Sequence, residues 1–159
     1  MEQALENEEL NQEIIEHLMH PKNYGKLDEP SGVGVGHDEK TGEYVVFYIQ
    51  TEDENIQEVS YATNGCQDTV VLGSMFTEMI KGDSIENGKN AVEKMDKRLS
   101  GMTVQQQVCA EMVLTSFIAS LINRENRLKG KSEEMHVIKM KESCEVEEVE
   151  TKEKENNDK

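Results

Sequence analysis

YVVFYIQTEDENIQEVSYATNGCQDTVVLGSMFTEMIKG, residues 44–82, decides the fold class because its periodicity changes halfway along. Tyr44–Gln50 is dense in β-branched and aromatic residues and predicts a strand. TEDEN, residues 51–55, supplies a turn, and Ile56–Thr63 predicts a second strand with Val59 and Tyr61 on one face. The two pair most simply as an antiparallel hairpin. At Asn64-Gly65-Cys66 the period-two pattern stops. From Gln67 to Lys81 the apolar residues Val70, Val71, Met75, Met79 and Ile80 fit one helical stripe, which Gly82 ends. The stretch therefore reads as a hairpin that runs directly into an amphipathic helix.

Working outward, Asn11–Met19 predicts a first helix, with Ile14, Ile15 and Leu18 at helical spacing. Pro21 ends it, because the residue before proline avoids the helical region. The stretch KNYGKLDEPSGVGVG, residues 22–36, reads as loop, although Val33–Val35 can add a short third strand. Downstream, Ser84 to about Leu99 predicts a weaker helix that carries Gly88. Thr103–Arg127 predicts the longest helix, with Val108, Met112, Val113, Phe117, Ile118, Leu121 and Ile122 on a wide apolar face. Read from the residues, the chain thus holds an antiparallel hairpin, a possible short third strand and helices around them. The domain is expected to span residues 1–130. Residues 131–159 then form an acidic C-terminal extension in which Met135, Val137, Ile138 and Met140 can build one short element. From Glu145 on, EVEEVETKEKENNDK has too little apolar area to fold and predicts a disordered tail.

Composition narrows the function. The 159 residues hold 17 Lys and Arg against 33 Asp and Glu, a net charge of -16. Polyphosphate meets a repulsive surface, which argues against nucleic acid; metal cations and basic proteins fit the field better. No stretch approaches the ~18 apolar residues of a membrane span. The N-terminus, MEQALENEEL, lacks the basic and apolar blocks of a secretion signal. Three cysteines are an odd number for a disulfide framework and predict a reducing, cytoplasmic setting with free thiols.

Among candidate functional residues, Cys66 is the most informative. It follows a strand and a glycine and stands where a helix begins, where unpaired amides and the helix dipole favour a thiolate. The competing role is a small buried residue filling a strand-to-helix corner. Cys109 lies near the start of the longest helix, between apolar neighbours that suit burial. If the helices bring the two together, they form half of a tetrahedral site, and soft thiolates favour zinc or iron over magnesium or calcium. His37, Asp38 and Glu43, around the glycine-rich stretch and first strand, are candidate further ligands. Gly32, Gly34 and Gly36 suggest a phosphate loop only superficially, since neither GK[ST] nor the dinucleotide fingerprint follows. No nucleophile-elbow motif supports hydrolysis, and Cys144 stands in the acidic tail.

Taken in order, IIEHLMHPKNYGKL, a glycine-rich stretch, a strand opening TGE, YATNGCQDTVVLGSMFTEMIKG and VCAEMVLTSFIASLI resemble the U-type iron–sulfur cluster scaffold proteins (IscU, SufU and the N-terminal domain of NifU). The resemblance covers about residues 11–128. It implies a SufE/NifU-like α+β fold, a small antiparallel sheet of about three strands packed against helices, and a non-enzymatic scaffold role with a [2Fe–2S] cluster or iron held by thiolates. It also implies a cysteine desulfurase as sulfur donor, apoproteins as recipients, and room for a homodimer. The family's second and third cysteines match Cys66 and Cys109. Its first cysteine belongs to a CGD motif that reads TGE here, so Thr41 replaces the cysteine and Glu43 the aspartate. Val108 replaces the histidine that precedes the third cysteine in the IscU branch, and MTVQQQ replaces that branch's proline-containing chaperone segment. The expected ligand set is thus Cys66 and Cys109, with Glu43 and His37 as further metal ligands. Two other roles remain open: a cluster-free regulatory or adaptor paralogue, and a zinc-binding or sulfur-transfer protein.

Overall fold

A computed structural model describes residues 12–98 and 101–140. Helix α1 covers residues 12–19. It is followed by β1 (Gly32–His37), β2 (Tyr44–Glu52), β3 (Asn55–Thr63), α2 (Gln67–Ile80), α3 (Ile85–Arg98), α4 (Val104–Leu128) and β4 (His136–Lys139). The sheet order is β3-β2-β1-β4. The expected hairpin is present: β2 and β3 pair antiparallel, with Phe47 opposite Tyr61 and Ile49 opposite Val59. Asp53 makes the turn at φ 57°, a left-handed conformation that Asp tolerates better than most residues.

The structure extends the expected sheet in two places. β1 occupies six residues rather than the three of Val33–Val35 and pairs antiparallel with β2 along its whole length. β4, drawn from the segment beyond residue 130, adds a fourth strand parallel to β1 and makes the sheet mixed. The acidic run from residue 141 onward, Cys144 included, lies outside the described residues, as do the expected helix bounds at Asn11 and Leu99.

Glycine alternation in β1 has a packing cause. A Cβ built on Gly34 would meet the Ser120 amide nitrogen at 2.1 Å and the Ser116 carbonyl oxygen at 2.2 Å. Helix α4 therefore lies directly on the backbone of β1, which no larger residue at Gly34 allows. The GVGVG run is a strand–helix seam.

The core lies between the sheet and α2 to α4. Phe47 of β2, Phe76 of α2 and Phe117 of α4, the only phenylalanines in the chain, form a mutual edge-to-face cluster with centroids 5.2–6.0 Å apart. One expectation about α1 is corrected. Of its three expected apolar residues, Ile14 is half-buried against the core, but Ile15 and Leu18 are exposed at 58% and 38%, and the fully buried member is His17. Its Nδ1 lies 2.6 Å from the buried Ser74 Oγ of α2, and the same hydroxyl accepts from the Lys22 amide at 2.7 Å. The polar pair at His17, together with Ile14 against the core, docks this helix. Among the described residues no helix is long and apolar enough to cross a membrane.

Candidate metal and sulfur centre

Two helix starts define the site. Cys66 is the N-cap of α2, in an extended conformation at φ -76° and ψ 178°. The Tyr61 hydroxyl donates to the Val70 carbonyl at 2.5 Å, fastening the first turn of α2 to β3. Helix α4 starts at a capping box: Thr103 Oγ1 accepts from the Gln106 amide at 3.2 Å, and Gln106 Oε1 accepts from the Thr103 amide at 3.1 Å. Because that box fixes where α4 begins, it also fixes Cys109 in the second turn. The outcome is a pair: Cys66 Sγ and Cys109 Sγ lie 3.7 Å apart although 43 positions separate them in the chain.

That distance decides what the pair can hold. It is far longer than the ~2.05 Å of a disulfide, so both are free thiols. Two thiolates bound at ~2.3 Å to one tetrahedral ion stand about 3.8 Å apart, the edge of the tetrahedron. The observed spacing therefore fits two ligands on the same ion.

The electrostatics of the two sulfurs differ. Half-burial of Cys66 opposes its ionisation, but the Thr69 and Asp68 amides of the first helical turn, the Cys109 thiol and the Thr69 hydroxyl outweigh it. The Cys66 thiol therefore titrates below the ordinary thiol range. Its sulfur makes no formal capping bond, so the amides act as aligned dipoles rather than as close donors. Cys109 is 1% exposed, and burial pushes its thiol up to about 11, helped by the neighbouring Cys66 sulfur and Asp68 carboxylate. One proton leaves the pair readily; the second stays until a cation replaces it.

The other expected ligands do not join the pair. Among the described residues no group of three or more His, Cys, Asp or Glu side chains gathers as metal ligands. His37 ends β1, opposite Tyr44 of β2 and Lys139 of β4, and its carbonyl accepts from the Met140 amide. Asp38 is buried and its Oδ1 accepts from the Lys40 amide at 3.0 Å, closing the β1–β2 turn. Glu43 sits in the same turn, its amide donating to Thr41 Oγ1 at 3.2 Å.

Three residues with no sequence signal matter more. Asn64 ties the Thr41–Tyr44 turn to the Cys66 corner: its Oδ1 accepts from the Tyr44 amide at 2.8 Å and its Nδ2 donates to the Gly42 carbonyl at 3.2 Å. Thr69 Oγ1 stands 3.9 Å from Cys66 Sγ, and Gln105 Nε2 stands 4.0 Å from Cys109 Sγ. Their asparagine, threonine and glutamine side chains are common on any surface; only the fold gives them this role.

Fold and site together define a helix-covered α+β domain that presents a reactive dithiol at two helix starts. The NifU-like N terminal domain family matches residues 9–129, and the chain belongs to that family. It is 27% identical over 135 residues to the iron-sulfur cluster assembly scaffold protein IscU 1 of Archaeoglobus fulgidus, covering 83% of this chain and 88% of that one. It is 32% identical over 109 residues to the iron-sulfur cluster assembly scaffold protein IscU of Aquifex aeolicus, covering 67% and 69%. A crystal structure of the N-terminal part of a nitrogen-fixing NifU-like protein from Brucella abortus aligns with a TM-score of 0.46 at 18% identity, covering 76% of this chain and 81% of that one.

Proposed function

We propose that this chain is a cytoplasmic scaffold for iron–sulfur cluster assembly that holds iron and sulfide as cargo through the Cys66 and Cys109 thiolates. The observation that carries the reading is the 3.7 Å sulfur pair inside a NifU-like N-terminal domain. The work done is ligation and release rather than turnover. Cys66, half-exposed and easily ionised, is the sulfur that meets an incoming donor first; Cys109 lies behind it and closes on the ion. A cysteine desulfurase fits as the sulfur source and apoproteins as recipients, since the relatives' scaffold role needs both.

The chain's departure from its family sets the character of the site. Thr41 brings a hydroxyl where a thiolate would stand, and a hydroxyl is a poor donor to iron beside soft ligands. Loading is accordingly weaker and more easily reversed than with three thiolates. Zinc is a second cargo on the same geometric ground, because the spacing reflects a tetrahedral thiolate site and not iron alone.

Anaerobic purification followed by iron, zinc and acid-labile sulfide analysis tests the reading. Iron together with sulfide is expected, both lost in Cys66→Ala and Cys109→Ala. Zinc without sulfide transfers the reading to a zinc site, and neither metal overturns it in favour of a cluster-free adaptor. Thr41→Cys is expected to lengthen the lifetime of the loaded form, because Asn64 holds that turn against the Cys66 corner.

A further inference from the structure

We infer that Thr69 is a positioning residue of the dithiol: its buried hydroxyl is held without an oxygen or nitrogen partner, so that it donates to the Cys66 sulfur when that sulfur binds a cation. The inference rests on the proposed role of Cys66 and Cys109 as ligands and adds a group that sets how strongly they donate.

A comparison of like groups supplies the first argument. Among the described residues, Thr69, Ser74 and Thr77 of α2 and Ser116 and Ser120 of α4 are all 0% exposed. Water reaches none of them, so each hydroxyl needs a partner within the protein. Thr77 donates to the Gly73 and Ser74 carbonyls, Ser116 to the Val113 carbonyl and Ser120 to the Phe117 carbonyl. Ser74 Oγ pairs with His17 and the Lys22 amide. Thr69 differs: the atom that its Oγ1 meets is a sulfur, Cys66 Sγ at 3.9 Å.

The start of α2 explains the difference. A buried helical hydroxyl commonly turns back to the carbonyl three or four residues earlier. For Thr69 those residues are Cys66 and Gly65. The Cys66 carbonyl already accepts from the Thr69 and Val70 amides at 3.1 and 3.3 Å, and Gly65 precedes the helix. Glycine there also leaves the hydroxyl its place, since a Cβ on Gly65 would stand 3.1 Å from Thr69 Oγ1. Beside a neutral thiol, a weak acceptor, the hydroxyl is nearly idle. A sulfur that has exchanged its proton for a cation has no hydrogen to give, so the hydroxyl is then the donor and charge tightens the contact. The same hydroxyl favours the charged form of both sulfurs. Gln105, by contrast, is exposed, and water competes for the amide that stands 4.0 Å from Cys109 Sγ. A buried donor to a ligand sulfur lowers the electron density that the sulfur gives its ion.

The test is a cobalt(II) titration of the reduced full chain, read by its sulfur-to-cobalt charge-transfer band, in wild type, Thr69→Val, Thr69→Ala and Thr69→Ser. The denaturant midpoint of each metal-free chain is measured alongside. Valine keeps the shape and removes the hydroxyl. A sulfur freed of that donor gives up an electron more easily, so the band should move to longer wavelength. Alanine should move it in the same direction, and serine should return it to the wild-type position. Metal-free Thr69→Val should keep or exceed the wild-type midpoint, because the hydroxyl it removes has no strong partner. An unmoved band in Thr69→Val, a serine variant that stays shifted, or a lowered midpoint in metal-free Thr69→Val overturns the positioning role and leaves the dithiol reading standing on the wild-type band. No band in the wild type overturns that reading and the inference with it.

Discussion

Asn123, near the C-terminal end of α4, and Cys109, near its N-terminal end, are both almost fully buried, at 0% and 1% exposed, yet their surroundings differ in kind. Asn123 Oδ1 accepts from the Val33 amide of β1 at 2.8 Å, and its Nδ2 donates to the Glu133 carbonyl at 3.1 Å and to Glu133 Oε1 at 3.0 Å. Arg127 beside it donates to the carbonyls of Pro30, Glu133 and Glu134. These bonds hold β4 against β1 and use up the donors that make them. At the other end, Cys109 has a second sulfur at 3.7 Å and a glutamine amide at 4.0 Å, contacts too weak to satisfy a thiolate. One end of the helix holds the fold together. The other holds donors that folding leaves available, and the proposed scaffold role assigns those donors to its cargo.

Substitutions at the two ends should therefore separate stability from loading. The largest effect on stability is expected at Asn123→Ala, which orphans the Val33 amide and loosens Glu133. It should cost about 3 kcal/mol, read as a lower denaturant midpoint, with iron and sulfide per folded chain unchanged. Loss of loading in that variant would mean that the two ends are coupled through α4.

A smaller effect is expected at Glu133→Gln. Hydrogen bonds from Asn126 and Asn123, and the contact with His136, hold the Glu133 carboxyl at about 2, against an ordinary 4.5. A carboxyl lowered on folding contributes stability above its unfolded value and loses it as pH falls through the folded one. The wild type should therefore lose stability more steeply than Glu133→Gln between about pH 4.5 and pH 2. Because the side chain is 30% exposed, solvent screening limits the difference to about 1 kcal/mol. Parallel acid limbs would show that the carboxylate does not secure β4.

The smallest effect on stability belongs to Cys66→Ala, within about 0.5 kcal/mol, with loading abolished. Its reactivity sharpens the contrast further. Alkylation of Cys66 should rise with a midpoint below the ordinary thiol range, and Cys109→Ala should move that midpoint upward by removing one of the donors that favour the thiolate. An unmoved midpoint would mean that the helix amides alone set it.

How much of this the sequence discloses depends on what each residue's meaning requires. Tyr44–Gln50 and Ile56–Thr63 show as strands, and α2 and α4 as helices, because their apolar spacing is set locally. Gly32, Gly34 and Gly36 read as loop, since the reason for them is the backbone of α4, about eighty positions away. His136–Lys139 is too short to announce a strand, and its pairing with β1 depends on Asn123 and Arg127. At the site, Cys66 and Cys109 stand out because thiols at helix starts have a distinctive chemistry. His37 and Glu43 are candidates by type and proximity in sequence, but His37 is fixed in register between β2 and β4, and neither gathers with the sulfurs into a ligand set among the described residues. Asn64, Thr69 and Gln105 carry no signal because position alone gives them their part.

Cobalt(II) titration of the reduced, metal-free chain tests most directly whether the two sulfurs serve one ion. A sulfur-to-cobalt charge-transfer band that saturates at one ion per pair and collapses in both Cys66→Ala and Cys109→Ala is the predicted result. A band of undiminished intensity in either variant, or saturation at two ions per chain, would contradict it.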